Sequence, residues 1–295
     1  MVCLCDVTII LPTYNRADLV ARCIESVLSQ SYTNWELIIA DDASTDNTSA
    51  IVETYTGDPR IRYHRNKTNQ GLPRNRNITI ALSRGDLIFF IEDDLTMEPD
   101  CLEILVDTYN ELKKEKKVGG IAPRLIGEYM GIAGPLNSVV EARRKRLQTA
   151  CDLDRRTGIV IRNFGIDSDD IEDIITIHAC SLYPRDVLNE VGGFAEKYKG
   201  TYIHEDNDLN FRIKNNGYNF YFQPKAITYH NVGDTGGCRL SSMSWTHYYT
   251  FRNHCIFIAR IFGARCLYMI PSYTFWIILC MIRYIFIKVR NEVFR

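Results

Sequence analysis

The chain has almost no net charge. Its 295 residues carry 35 basic and 36 acidic side chains, a formal charge of −1. A domain that grips nucleic acid by its phosphates is usually strongly basic, so that class is set aside. No C-x-x-C pair occurs among the ten cysteines, which are scattered. Secreted disulfide scaffolds are shorter and denser in cysteine, and the expectation here is reduced thiols in a cytoplasmic setting. The first residues lack the basic n-region of a secretory leader and run straight into a strand-like segment, Val7 to Leu11, so no signal peptide is expected. Neither G-x-G-x-x-G nor G-x-x-x-x-G-K-[ST] is present, which argues against nicotinamide Rossmann enzymes and P-loop NTPases. Without G-x-S-x-G there is no nucleophile elbow for a hydrolase. No internal repeat is visible.

What is present is alternation. Val7–Leu11 is a short apolar run ended by Pro12. From Asp18, a candidate N-cap, to Gln30 the apolar residues Leu19, Val20, Cys23, Ile24, Val27 and Leu28 follow the roughly 3.6-residue period of a helix. Trp35–Ala40 is a second strand-like run, and Ser44-Thr45-Asp46 opens a helix-like stretch toward Tyr55. Ile61–His64 reads as a weak third strand, Leu72–Ser83 as a helix and Asp86–Ile91 as a fourth strand. Strands alternating with helices predict an α/β fold, a mostly parallel sheet flanked by helices. In such sheets ligands bind beyond the carboxyl ends of the strands. Pro12–Arg16, Asp41-Asp42 and Glu92–Asp94 all fall there. Any one of them could be an ordinary turn; three on one edge point to a site.

The middle, 113–175, is less regular. Lys113–Lys117, the arginine-rich Glu141–Arg146 and the acidic Asp167–Asp173 read as solvated surface. Further on, Val191–Phe194 reads as a tight turn, and His204-Glu205-Asp206 precedes a helix that ends near Gly217. Asn219–Phe222 and Ala226–His230 read as two strand-like pieces.

Glu92-Asp93-Asp94 is costly to hold at a strand end unless a cation neutralises it. Mg²⁺ or Mn²⁺ suits that need, using one or two carboxylates plus substrate phosphates. His230 ends another strand; it is either structural or, beside Asp94, a metal ligand that favours Mn²⁺. Asp206 is the candidate general base, with Glu205 orienting it or binding the acceptor. Both acids also suit a helix N-terminus, and the two roles are compatible.

Taken together, Val7–Arg16, Ile24–Gln30, Glu36–Asp46, Asn69–Leu72, Arg76-Asn77, Gly85–Asp94, Val191–Phe194, Glu205-Asp206 and Pro224–His230 resemble the family 2 glycosyltransferases of GT-A fold, over about 7–255. The resemblance implies an inverting transfer of a sugar from a nucleotide-diphosphate sugar, UDP- or dTDP-linked, to an acceptor hydroxyl. It implies that Pro12, Thr13, Asn15, Arg16, Asp42, Arg76 and Asp93 hold the donor nucleotide. Within that set Thr13 and Asp42 should meet the base, Arg76 the base or phosphate, and Asp93 the ribose. Asp94 and His230 should hold the metal, and Asp206 should be the base. Gly192, Gly193, Phe194 and Glu205 should lie on the acceptor side. The motif reads Glu-Asp-Asp rather than Asp-x-Asp, which leaves Glu92 without a role. Tyr248-Tyr249 and Arg252-Asn253 resemble a pattern of rhamnosyl- and related transferases.

Cys266–Ile282 carries no charge and is interrupted by Pro271. Arg260 and Arg265 precede it; Arg283, Lys288, Arg290 and Arg295 follow. That pattern suits a helical tail lying in the membrane interface, against a spanning helix, or a buried or dimer-forming one, as alternatives. The expected organisation is a GT-A domain over 1–254, with a nucleotide-sugar half at 1–100 and an acceptor half at 101–254, followed by a hydrophobic, basic tail over 255–295. The expected place is the cytoplasmic face of a membrane, with a glycan or lipid-linked acceptor. A sugar-phosphate nucleotidylyltransferase would normally open with a Gly-rich basic loop after the first strand, where this chain has Pro-Thr-Tyr-Asn-Arg. A non-catalytic nucleotide-sugar-binding protein would have lost Asp94 or Asp206, and both are present.

Overall fold

The computed structural model describes residues 5–127, 137–231 and 242–293, the side chains of 137–139 and 283–293 excepted. Strands β1 (Val7–Thr13), β2 (Trp35–Asp41), β3 (Ile61–Arg65) and β4 (Leu87–Phe90) alternate with helices α1 (Val20–Leu28), α2 (Thr48–Glu53) and α3 (Leu72–Leu82). Then come β5 (Leu95–Met97), α4 (Cys101–Leu112), β6 (Val118–Gly127) and α5 (Asn137–Arg144). A hairpin of β7 (Cys151–Asp154) and β8 (Ile159–Arg162) leads to β9 (Glu172–Ile174), β10 (Leu182–Pro184) and α6 (Arg185–Glu190). The chain closes with α7 (Glu205–Asn215), β11 (Asn219–His230), α8 (Met243–Phe262) and α9 (Cys266–Val293).

The main sheet runs β3-β2-β1-β4-β10-β6-β11-β5, with β9 also on β11. Its first four strands are mutually parallel. β6 and β11 are parallel to each other, while β10, β5 and β9 run antiparallel to their neighbours. The carboxyl ends of β1, β2 and β4 therefore share one edge, as the sequence predicts. β1 is buried on both faces, and its alternation divides two cores. Ile9 and Leu11 pack with α1 and α4; Ile10 packs with Phe90, Tyr183, Phe194 and Leu209 on the other face.

Four local readings change. Asp18 does not cap α1: the N-cap is Leu19, without a side-chain bond. The Arg16 carbonyl instead accepts from Leu19 N and Val20 N, so a backbone turn opens the helix. Asn219–Phe222 and Ala226–His230 are one strand, β11, whose register shifts between Gln223 and Ile227. Pro224 offers no N–H there, which is what a bulge accommodates. Pro271 does not interrupt the tail; it stands inside α9, in the second turn, at the loss of one helical hydrogen bond. The expected boundary after residue 254 falls inside α8.

That helix is part of the folded body. Phe257 and Ile258 are buried with Phe211 of α7 and Met269 of α9. Tyr273 of α9 packs with Val140 of α5 and with Ile159 and Ile161 of β8. Outer residues of the pair are apolar and exposed, Leu267 at 80% and Phe275 at 64%. By length and composition, Met243–Ile282 could cross a membrane. The side chains of Arg283, Lys288 and Arg290, and Arg295 altogether, lie outside the described residues. The eight cysteines among the described residues are free thiols.

His178 is buried, with its Nε2 3.0 Å from the Pro123 carbonyl. Burial pulls its pKa down from 6.5 to about 4. The folded state thus refuses a proton that the unfolded chain accepts below about 6.5. Its contribution to stability is complete above that pH and is lost as pH falls toward 4. The stability of wild type relative to His178→Leu should accordingly shrink across that window, by up to about 1.4 kcal/mol per pH unit. Urea unfolding of both proteins at a series of pH values checks this; parallel curves would contradict it.

Candidate active site

The edge formed by β1, β2 and β4 gathers the carboxylates. Asp93 is buried just past β4, accepting from Thr13 Oγ1 at 2.8 Å. Burial pushes Asp93 up to about 7; Arg16 pulls it down and Asp94 adds to the rise. Arg16 is itself buried, its Nε 3.8 Å from Asp93 and its Nη2 3.7 Å from Asp94. Those separations are long, and Arg16 Nε and Nη1 have no hydrogen-bond partner among the described residues. A buried guanidinium with unused donors is a natural receiver of phosphate oxygens.

Asp94 has the complementary property. Its Oδ2 is 3.6 Å from His230 Nε2, and its buried Oδ1 has no hydrogen-bond partner among the described residues. His230 reaches it because β11 runs antiparallel to β5, pairing His230 with Leu95. An orphaned carboxylate oxygen beside an imidazole nitrogen fits a divalent cation that draws its other ligands from a diphosphate and water. Among the described residues no group of three His, Cys, Asp or Glu side chains could hold a metal alone.

The loops after β1 and β2 lock together. Asn15 takes a positive φ of 53° and accepts from Thr45 N at 2.8 Å, while its own N donates to Ser44 Oγ at 2.9 Å. Asp41 accepts from Ser44 N and Tyr63 Oη and is structural. Asp42 accepts from Asn66 Nδ2 and Gln70 N on Oδ1, and from Gly71 N on Oδ2. It thereby ties β2 to the start of α3, leaving about one lone-pair site on Oδ2 for a ligand. Pro12 is buried within β1, with Ala40 beside it in register.

Expectation put Arg76 at the base or phosphate. The structure puts it in the wall between the two halves of the site, fully buried. Its Nη2 lies 3.2 Å from Glu92 Oε1, and its Nη1 pairs with Glu205. Phe90 and Phe194 flank the guanidinium at 5.6 and 5.1 Å. Glu92 thus acquires a partner that the sequence left blank. Burial raises both acids, and Arg76 pulls both back down.

Phe194 is therefore buried wall, and its loop is clamped by α3. Asn77 accepts from Phe194 N at 2.8 Å and donates to Phe194 O at 2.9 Å. Gly193 has a φ of 66°, and a Cβ there would stand 2.5 Å from Asn77 Oδ1, so only glycine fits. Gly192 has a φ of 77° and an open surround. Arg212 holds the carbonyls of Val191 and Gly193, both at 2.6 Å.

Asp206 is buried in the first turn of α7. Arg162 Nη2 donates to its Oδ2 at 2.5 Å. Asp208, two residues on in the same first turn and buried, anchors α8 through Arg260 Nε at 2.6 Å and also takes Tyr198 Oη and Arg212 Nε. Asn253 and Arg252 of α8 hold the carbonyls of Lys199 and Lys197, and Tyr249 packs over Gly200. Arg162 and Arg260 escaped sequence reading as site residues because their partners lie 44 and 52 residues away. Only the Asp208–Arg212 pair, at i,i+4, carried a local signal.

A central sheet flanked by helices, with acids gathered at its parallel strand ends, defines a protein of GT-A type. The chain belongs to Glycosyl transferase family 2, whose sequence profile matches residues 8–192. The chondroitin synthase of Escherichia coli is 38% identical over 106 residues, 36% of this chain and 15% of that protein. Solved structures align more widely. The S. aureus TarS 1-349 complex with UDP-GlcNAc superposes with a TM-score of 0.62 at 15% identity, covering 91% of this chain and 71% of that one. The mannosyltransferase PcManGT of Pyrobaculum calidifontis, in complex with GDP-Man and Mn²⁺, gives 0.57 at 17% identity, covering 91% and 73%. The chain spans less than half the length of the curated relatives it matches first.

Arg76→Met would strand Glu205 in the interior without its counter-ion. A loss of about 3–5 kcal/mol in urea unfolding is expected, with partial recovery on adding Glu205→Gln. A loss under about 1 kcal/mol would show that the guanidinium does not hold the wall together.

Proposed function

We propose that the chain is an inverting glycosyltransferase that moves a sugar from a UDP- or dTDP-linked donor to an acceptor hydroxyl, on a glycan or a lipid-linked glycan. The observation that carries the reading is the span of Arg76. One guanidinium joins Glu92, next to the donor-side Asp93 and Asp94, to Glu205, next to Asp206. Donor diphosphate and general base then lie on either side of one wall, the arrangement an in-line displacement needs.

Arg16, with its unused buried donors, takes diphosphate oxygens. Asp42 has capacity for a base N–H, and Asp93, raised toward neutrality, meets the ribose hydroxyls. Asp94 and His230 would hold Mn²⁺ or Mg²⁺, which when bound offsets the negative charge of the departing diphosphate. Asp206 removes the proton of the acceptor hydroxyl as that oxygen attacks the anomeric carbon. The carbon–oxygen bond to the diphosphate breaks on the opposite face, so the anomeric configuration inverts. Arg162 aims the Asp206 carboxylate by donating to its Oδ2.

The tail reading follows from how α8 is held. Arg260, Arg252 and Asn253 tie it to α7 and to the 197–199 segment, so it is fixed on the protein. The exposed apolar faces of α8 and α9 suit contact with a membrane surface, where the site would meet a lipid-linked acceptor.

A panel of nucleotide sugars titrated with Mn²⁺ or Mg²⁺ tests the reading. One donor should bind in a metal-dependent way, and Asp94→Ala should weaken it. Asp206→Asn should bind that donor normally while kcat falls about 10²–10⁴-fold. No nucleotide binding under any metal condition, or near-normal turnover by Asp206→Asn, would overturn it.

A further inference from the structure

A continuous chain of hydrogen bonds, buried except at Arg162, connects α8 to the candidate base, and its direction is fixed at both ends. At one end the same Arg162 Nη2 that donates to Asp206 also donates to Asn207 Oδ1, at 3.0 Å. A guanidinium has no acceptor, so the amide oxygen of Asn207 must face it. The amide nitrogen of Asn207 then faces His204 Nδ1, 3.0 Å away, and donates to it. A neutral His204 that accepts on Nδ1 carries its hydrogen on Nε2.

At the other end His254 Nε2 stands 2.7 Å from the Thr157 carbonyl, which can only accept. His254 therefore carries its hydrogen on Nε2 and accepts on Nδ1. The remaining contact, 2.8 Å between His204 Nε2 and His254 Nδ1, needs one hydrogen, and the first end has already placed it on His204. Both ends give the same assignment. A second proton on either ring would set N–H against N–H. Both rings are buried, and burial holds both below the ordinary imidazole range, His254 at about 4.

The backbone adds a second indication. His204, the residue before α7, adopts a left-handed φ of 71°, a conformation that a side-chain-bearing residue takes only under constraint. Its ring is bonded through both nitrogens and stacked on Phe257 of α8, centroids 4.7 Å apart and planes within 5°. An outlier held so firmly, two residues before Asp206, is placed to set where α7 begins.

We propose that His204 and His254 are positioning residues for Asp206: they transmit the seating of α8, through Asn207 and Arg162, to the carboxylate that accepts the proton. The tail is thereby coupled to catalysis without touching substrate. This rests on the reading of Asp206 as the base.

Two measurements on the full chain test it. Nitrogen-15 NMR of histidine-labelled wild type at pH 7 should show both rings neutral with hydrogen on Nε2; an Nδ1–H tautomer or an imidazolium at either residue overturns the chain. Kinetics with the donor found in the binding panel test the consequence. His254→Phe keeps a ring but cannot accept from His204, and kcat should fall about 10–100-fold with donor KM unchanged. His254→Asn, whose Oδ1 can replace the Nδ1 acceptor, should recover most of the loss. If Asp206→Asn is inactive while His254→Phe turns over like wild type, the coupling is wrong and the base stands. If Asp206→Asn itself turns over normally, the base reading fails and the coupling falls with it. Should His254→Phe fail to fold, the wild-type tautomers decide.

Discussion

A single buried guanidinium constrains the rest of the site. Arg76 is charged at any pH the protein meets, and it is sealed from water. Such a charge is tolerated only beside acids, and here those acids come from two distant parts of the chain, Glu92 after β4 and Glu205 at the head of α7. The two aromatic rings that flank it come from β4 and from the loop after α6. Satisfying one side chain therefore brings the donor-side strand end, the Gly192–Phe194 turn and the first turn of α7 to one place. Asp93, Asp94 and Asp206 are not among the carboxylates that pair with Arg76.

Around that wall the site is built from unequal satisfaction. Asp41, Asp208 and Asn77 use their hydrogen-bonding capacity on the protein and hold loops and helices in place. Arg16 and Asp94 are buried yet keep atoms without a hydrogen-bond partner among the described residues. Leaving a polar atom orphaned costs about 1–3 kcal/mol. Trp35 Nε1, Arg76 Nε, Thr201 Oγ1 and Glu205 Oε2 are orphaned as well, but Arg76 and Glu205 are bonded to each other, whereas Arg16 and Asp94 stand 3.7 Å apart at this sheet edge and both keep orphaned atoms. A donor diphosphate with its cation has the charges to fill both deficits.

The sheet edge was legible because two periodicities and the turn residues agree there. Val7–Leu11, Trp35–Ala40 and Leu87–Ile91 announce buried strands, and each is followed by acids or by Pro-Thr-Tyr-Asn-Arg. Family membership followed from the same stretches. Less legible was anything made by partners far apart in sequence. Glu92 had no role until Arg76 was seen against it, and Arg162 and His254 were single residues in unremarkable segments. The pairing of Arg76 with Glu92 and Glu205 was not foreseen, since an arginine on a polar-looking helix start gives no sign that it faces inward. Asp18 misled for a related reason: a good capping residue was present, but the Arg16 carbonyl had already opened the helix. Local rules succeeded where one element decides the outcome and failed where two elements share it.

The stereochemistry of transfer tests the central claim most directly. Proton NMR of the product, or of the sugar released to water, recorded before mutarotation, reports the configuration at the anomeric carbon. A single displacement driven by Asp206 predicts the inverted anomer as the first product. A retained anomer would contradict it and would require a different arrangement of groups across the Arg76 wall.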